Sequence, residues 1–267
     1  MREEKKVLEE GERSKLNENL GGRVFAAVTS GIFAATMSAP FISIMDKAIT
    51  SNASGREPLW TCVQSGFRML FKHPGEFLKQ PSFKWIAFVY SGTYVVANLT
   101  QLGCEVQEIP WQYPKFVATS ATNISLSILK DRAFAKMFSQ VGSPARPFPL
   151  LALALFGARD AMTVFASFNL PPIITPWVEN FGVPLSLARA AVQLTTPLAM
   201  QILSVPLHLY ALDLYNRPAV VFSERASFVR REYLKTVFAR WGRILPAFGI
   251  GGVINAELLD FSKNILK

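Results

Sequence analysis

VFAAVTSGIFAATMSAPFISIM, Val24 to Met45, is a run of twenty-two residues without a charge, and Asp46-Lys47 follows it at once. A helix needs about 20 mainly apolar residues to cross a bilayer, so this stretch is long enough alone. Trp85 to Cys104 and Ala190 to Leu212 qualify in the same way. Phe116 to Leu129, Pro147 to Val178 around one charged pair, and Ile244 to Ala256 reach that length only with charged residues at their ends or middles. Helices that face a polar cavity admit such residues. The expectation is an all-α membrane protein with six transmembrane helices: residues 1–22 form a polar tail and residues 23–267 the membrane domain.

Charge placement organises the spans. The chain has 267 residues, 50% of them hydrophobic and 18% charged, with a formal net charge of +9. The excess cations fall in blocks after the first, third and fifth spans: Lys47 to Lys84, Lys130 to Arg146, and the stretch from Asp213 to Arg243. Short near-neutral links, Glu105 to Lys115 and Glu179 to Arg189, follow the second and fourth. Lys and Arg in short loops stay on the inner side during insertion, so three hairpins with their basic loops on one face are expected. The corresponding repeats are residues 23–107, 108–182 and 183–267. Basic residues alternating with long uncharged runs, without a basic-aromatic module, argue against nucleic acid as a partner. The first twenty residues hold six acids and five bases, which fits neither a cleavable transit peptide nor a secretory signal.

Local echoes support the repetition. Pro40 and Pro206 are each the seventeenth residue of their uncharged runs, so Ser38-Ala-Pro-Phe matches Ser204-Val-Pro-Leu, and Asn123-Ile-Ser-Leu takes the same place in the third span. Asp46-Lys47, Asp131-Arg132 and Asp213 follow within one to two helical turns. Ala97-Asn98-Leu99, Phe168-Asn169-Leu170 and, more loosely, Asn255-Ala-Glu-Leu258 correspond on the alternate spans.

Six spans in three tandem hairpins, a late proline in the first and fifth, and basic loops on one side together resemble a divergent member of the mitochondrial carrier family. The resemblance covers the chain from about Arg23 to its end and lies in architecture more than motif. The family's inner signature places an acid two residues after the proline and a base three further on. Here those places hold Ile42 and Met45, His208 and Ala211, and, after Ser125, Ser127 and Lys130. The resemblance therefore implies a displaced inner gate at Asp46, Lys47, Asp131, Arg132 and Asp213. It implies an outer gate at Asn98, Asn169, Asp260 and Lys263, of which only the last two are charged. It further implies the mitochondrial inner membrane, basic loops in the matrix, contact with anionic lipid such as cardiolipin, and alternating-access transport of a small anionic metabolite. The alternative is a transport-inactive carrier fold serving as a structural or assembly subunit of a respiratory-chain or ATP synthase complex.

Arg159-Asp160 is the sharpest chemical signal, because a charged pair inside an apolar span must face the interior or water. Arg suits a bidentate grip on a carboxylate or phosphate, and the carrier resemblance puts a substrate contact here. An internal ion pair holding helices together is the competing reading. Arg243, three residues before Pro246, and His208, inside the fifth span, complete the candidate substrate-binding set. Cys62 and Cys104 are too few and isolated for a disulfide framework, and neither His73 nor His208 has a second ligand at metal spacing. With no nucleophile–base pair, cofactor loop or metal cluster, neither an enzyme nor a cofactor is expected. Phe67, Leu70, Phe71 and Phe77 opposite Arg68 and Lys72 read as a short amphipathic helix at the membrane surface.

Overall fold

The computed structural model describes residues 19–139, 147–246, 251 and 253–265, all helix, turn or connecting chain. Most of the expected polar tail, residues 1–18, lies outside the described residues. α1 (Leu20–Ala53) runs through the quoted stretch and past Asp46-Lys47. Its 34 residues make a helix about 50 Å long. The first basic block folds into α2 (Leu59–Lys72) and α3 (Pro74–Lys79), and α4 (Pro81–Val106) returns. α2 is amphipathic, with Leu59, Cys62 and Val63 buried and Gln64, Ser65, Arg68 and Lys72 exposed; of the expected apolar set, Phe71 is exposed and Phe77 is buried on α3.

α5 (Gln112–Met137) and α6 (Leu150–Phe168) form the next pair, extended by α7 (Leu170–Glu179). The expected fourth span is thus broken at Asn169. Pro171 and Pro172 open α7, and neither has an amide proton to continue the ladder of α6. α8 (Leu185–Asn216) contains Pro197 as well as Pro206. Pro206 leaves the Ile202 carbonyl without its helical donor, and the Tyr233 hydroxyl donates to that oxygen at 2.8 Å.

α9 (Phe222–Pro246) begins inside the third basic block, and α10 (Val253–Ile265) follows. The expected sixth span, Ile244 to Ala256, is therefore not one described helix. Its first residues are the last described turn of α9, and its last are the start of α10. Among the described residues, three stretches are long and apolar enough to cross a membrane: α1, α6 with α7 over Leu150–Glu179, and α8. α4 and α5 have the length, at 26 residues each, but more polar sequence. On α5 the polar Thr119, Ser120 and Asn123 line an internal cavity, so whole-helix composition understates what its outer face offers to lipid.

Packing runs round a closed ring: α1 on α4, α4 on α5, α5 on α6, α6 on α8, α8 on α9, and α9 back on α1. The α1–α4 contact is the most extensive. Gly31 permits it, because a Cβ there would sit 3.0 Å from the Val95 backbone nitrogen. The apolar core fills the basic end of the ring, with Ile42 and Ile49 of α1, Phe134 of α5, Phe156 of α6, and Leu209 and Leu212 of α8 buried together. Phe25, Phe33, Leu150, Trp177 and Leu203 point outward and are exposed, an apolar exterior suited to lipid.

Candidate functional site

The half of the ring away from the basic blocks encloses a cavity of about 720 Å³. Trp111, Gln112 and Tyr113, at the start of α5, border it, and Tyr94, Asn123 and Thr163 line its walls. Asp160, Gln201, Arg240 and Arg243 line it as well. These four come from α6, α8 and α9, so the polar surface is assembled across the ring and not along one helix.

Beneath this surface is a buried chain of charges with alternating sign. Arg243 donates to Asp46 Oδ1 at 2.9 Å, and Lys130 Nζ reaches Asp46 Oδ2 at 2.6 Å and Asp131 Oδ1 at 2.7 Å. Arg159 Nη2 then joins Asp131 Oδ2 and Asp160 Oδ1, each at 2.6 Å. Three carboxylates meet three cations, and the chain links α9, α1, α5 and α6. Its two ends, Arg243 and Asp160, both line the cavity. Charges this deep are tolerated only when paired, and removing one partner of such a pair costs about 3–5 kcal/mol.

Arg159 is fully buried in this chain. Its Nη1 contacts His208 Nδ1 at 2.7 Å, and since a guanidinium only donates, Nδ1 is the acceptor. Of the four expected substrate contacts, Asp160 and Arg243 line the cavity; Arg159 and His208 belong to the layer below.

The expected gate residues separate into distinct environments. Asp46 and Asp131 are in the alternating chain. Lys47 lies 3.4 Å from Gln80 Oε1 and over the Phe138 ring, and Arg132 is exposed. Asp213 bonds Arg217 at 2.6 Å and Arg225 at 2.7 Å, a cluster at the basic end of α8. Asn98 donates to the Ala27 carbonyl and exchanges amide bonds with Asn255, so it joins α4 to α1 and α10. Asn169 borders the cavity, Asp260 is exposed, and the side chain of Lys263 lies outside the described residues.

Three further residues, none of them among the expected site residues, join the site in the structure. Lys130, which stands at a signature position after Ser125, is the central cation of the chain. Arg240 precedes Arg243 by one helical turn, a spacing that puts both on one face of α9 and that the sequence displays. Gln201 carries no charge and gave no signal; it accepts from Arg240 Nε at 2.6 Å.

No curated protein and no solved structure matches the chain. A family model described as "probable citrulline exporter" matches residues 30–260, and no mitochondrial carrier family matches. The carrier resemblance is therefore overturned. The physical reason lies in the signature positions themselves: Ile42 is part of the apolar core, and the acids of the ion-pair chain, Asp46 and Asp131, stand a turn beyond the places the signature gives to acids. The assignment to the mitochondrial inner membrane stood on that resemblance and has lost its basis. What the apolar helices and the family together support is a multi-pass membrane protein with a role in small-metabolite transport. With the match extending from α1 into α10, the chain belongs to the probable citrulline exporter family.

Proposed function

We propose that this protein exports a small zwitterionic amino acid of citrulline's kind, moving it through the central cavity by alternating access. The observation that carries the reading is the cavity itself. At about 720 Å³ it is large enough for such a solute, its walls are rich in hydroxyl and amide groups, and it is lined by charges of both signs. A small anion, expected from Arg159 and Arg243, fits less well. Arg159 is already matched by Asp131 and Asp160, Arg243 by Asp46, and Asp160 presents a carboxylate to the same space.

The six-span arrangement is part of the proposal, supported by the closed ring of α1, α4, α5, α6, α8 and α9. In the structure the apolar core and the charge chain obstruct the basic end, while the cavity extends towards Trp111 and Tyr113. Opening the other side requires the ion pairs across α1, α5, α6 and α9 to part and re-form, which is the kind of bistable contact that alternating access uses. The family description favours transport over a static assembly subunit.

Proteoliposomes loaded with radiolabelled citrulline test this. Efflux above that of protein-free vesicles, competed by unlabelled citrulline, is the expected result. Efflux equal to the protein-free rate would overturn the proposal.

A further inference from the structure

Counting cations on each carboxylate of the buried chain exposes an asymmetry. Asp46 holds two, Lys130 and Arg243; Asp131 holds two, Lys130 and Arg159. Among the described residues, Asp160 holds one, Arg159, through Oδ1 alone, and its Oδ2 is a buried oxygen without a hydrogen-bond partner. The cations show the complementary defect. Lys130 and Arg159 each meet two carboxylates and Arg243 meets one. Arg240 meets none among the described residues: its Nε is on Gln201, and its Nη1 is buried without a partner.

Asp160 and Arg240 are 5% and 3% exposed, and both line the cavity. A buried charged group without its full complement of bonds is costly unless something supplies them. Arg240 is also a fourth cation that none of the three carboxylates reaches, so its own defect is local: it lacks an anionic partner among the described residues. The missing contacts are one cationic donor at Asp160 and one anionic acceptor at Arg240.

On these grounds, and resting on the reading of the cavity as the transport site, we infer that Asp160 and Arg240 are the two poles of an α-amino-acid subsite. Asp160 Oδ2 accepts from the α-ammonium group, and Arg240 Nη1 donates to the α-carboxylate. The substrate class is a neutral α-amino acid: its carboxylate gives Arg240 the anionic partner it lacks, and its ammonium gives Asp160 the second cation that Asp46 and Asp131 already have. The remainder of the molecule lies against the hydroxyl and amide walls. Arg159 acts beneath the subsite as a positioning residue, holding Asp160 through Oδ1 so that Oδ2 is presented.

Three ligands separate the poles: citrulline, its des-amino analogue 5-ureidopentanoate, and its decarboxylated analogue 4-ureidobutylamine. Competition against radiolabelled citrulline, on purified full-length protein, measures the wild type, Asp160→Asn and Arg240→Gln, with direct titration of the analogues where citrulline binding is lost. Wild-type protein should prefer citrulline to both analogues. Asp160→Asn should weaken citrulline roughly 10- to 100-fold, as expected for a lost hydrogen bond to a charged group, while leaving 5-ureidopentanoate unchanged. Arg240→Gln should do the same to citrulline while leaving 4-ureidobutylamine unchanged. Retained binding of the matching analogue also shows that each variant is folded. Equal weakening of all three ligands, or no weakening of citrulline, would overturn the subsite and leave the transport reading standing. A wild-type protein that binds none of the three would overturn the substrate reading and the subsite with it.

Discussion

Two clusters of buried ion pairs are built from the same residue types and do different work. Asp213 bonds Arg217 four residues on and Arg225 across the turn to α9, so its contacts close one corner at the basic end. Arg225 also donates to the Arg217 and Val220 carbonyls, which finishes that corner as a capped loop. Asp46 instead reaches Lys130 and Arg243, separated from it by 84 and 197 residues. The Asp213 cluster organises a connection. The Asp46 to Asp160 chain ties four helices of the ring together, so rearranging it must move them relative to one another.

The comparison breaks most sharply at Arg159. Arg159→Ala leaves Asp131 and Asp160 each with one cation fewer, and stability of the purified protein should fall by about 3–5 kcal/mol in thermal unfolding. An unchanged melting temperature would mean that the chain carries no structural weight. Asp213→Asn should cost less, about 1.5–3 kcal/mol, because the Arg225 bonds to two carbonyls survive. Combining the two substitutions sharpens the contrast: no partner is shared, so their effects should add, whereas Arg159→Ala with Asp46→Asn should not.

Smaller effects mark the periphery. Tyr233→Phe removes the donor to the Ile202 carbonyl released by Pro206 and should cost about 0.5–1.5 kcal/mol in the same assay. Cys62 on α2, outside the spanning helices, gives a pH signature. Burial, with a smaller contribution from Glu57, pushes its thiol up to about 11. The thiolate is the reactive form, so alkylation of Cys62 should be slow at neutral pH and accelerate roughly tenfold per pH unit until about pH 11. A rate independent of pH across that range would remove the buried environment assigned to α2.

Uncharged runs longer than a membrane is thick made α1 and α8 legible in the sequence, and the apolar stretch around Arg159-Asp160 did the same for α6 with α7. Pro171 and Pro172 are visible signs of the break at Asn169, hidden within a stretch whose apolar length dominated its reading. Arg159-Asp160 stood out because its charges interrupt a greasy run. Arg240 did not, since a basic block that marks a membrane boundary looks the same whether its arginines face water or a cavity. The carrier resemblance failed for a related reason: a proline at a given depth and a nearby Asp-Lys pair are local features, whereas the partners of Asp46 lie on α5 and α9. No spacing in a single sequence records that meeting.

Access to the cavity provides the most direct measurement. In a Cys104→Ser background, Asn123→Cys places a thiol on the α5 wall of the cavity at a partly exposed position, where a membrane-impermeant thiol reagent can reach it. Modification should stop citrulline efflux from proteoliposomes, and excess citrulline should slow the modification. Efflux that continues at its full rate after complete modification would contradict the claim that this cavity is the path of transport.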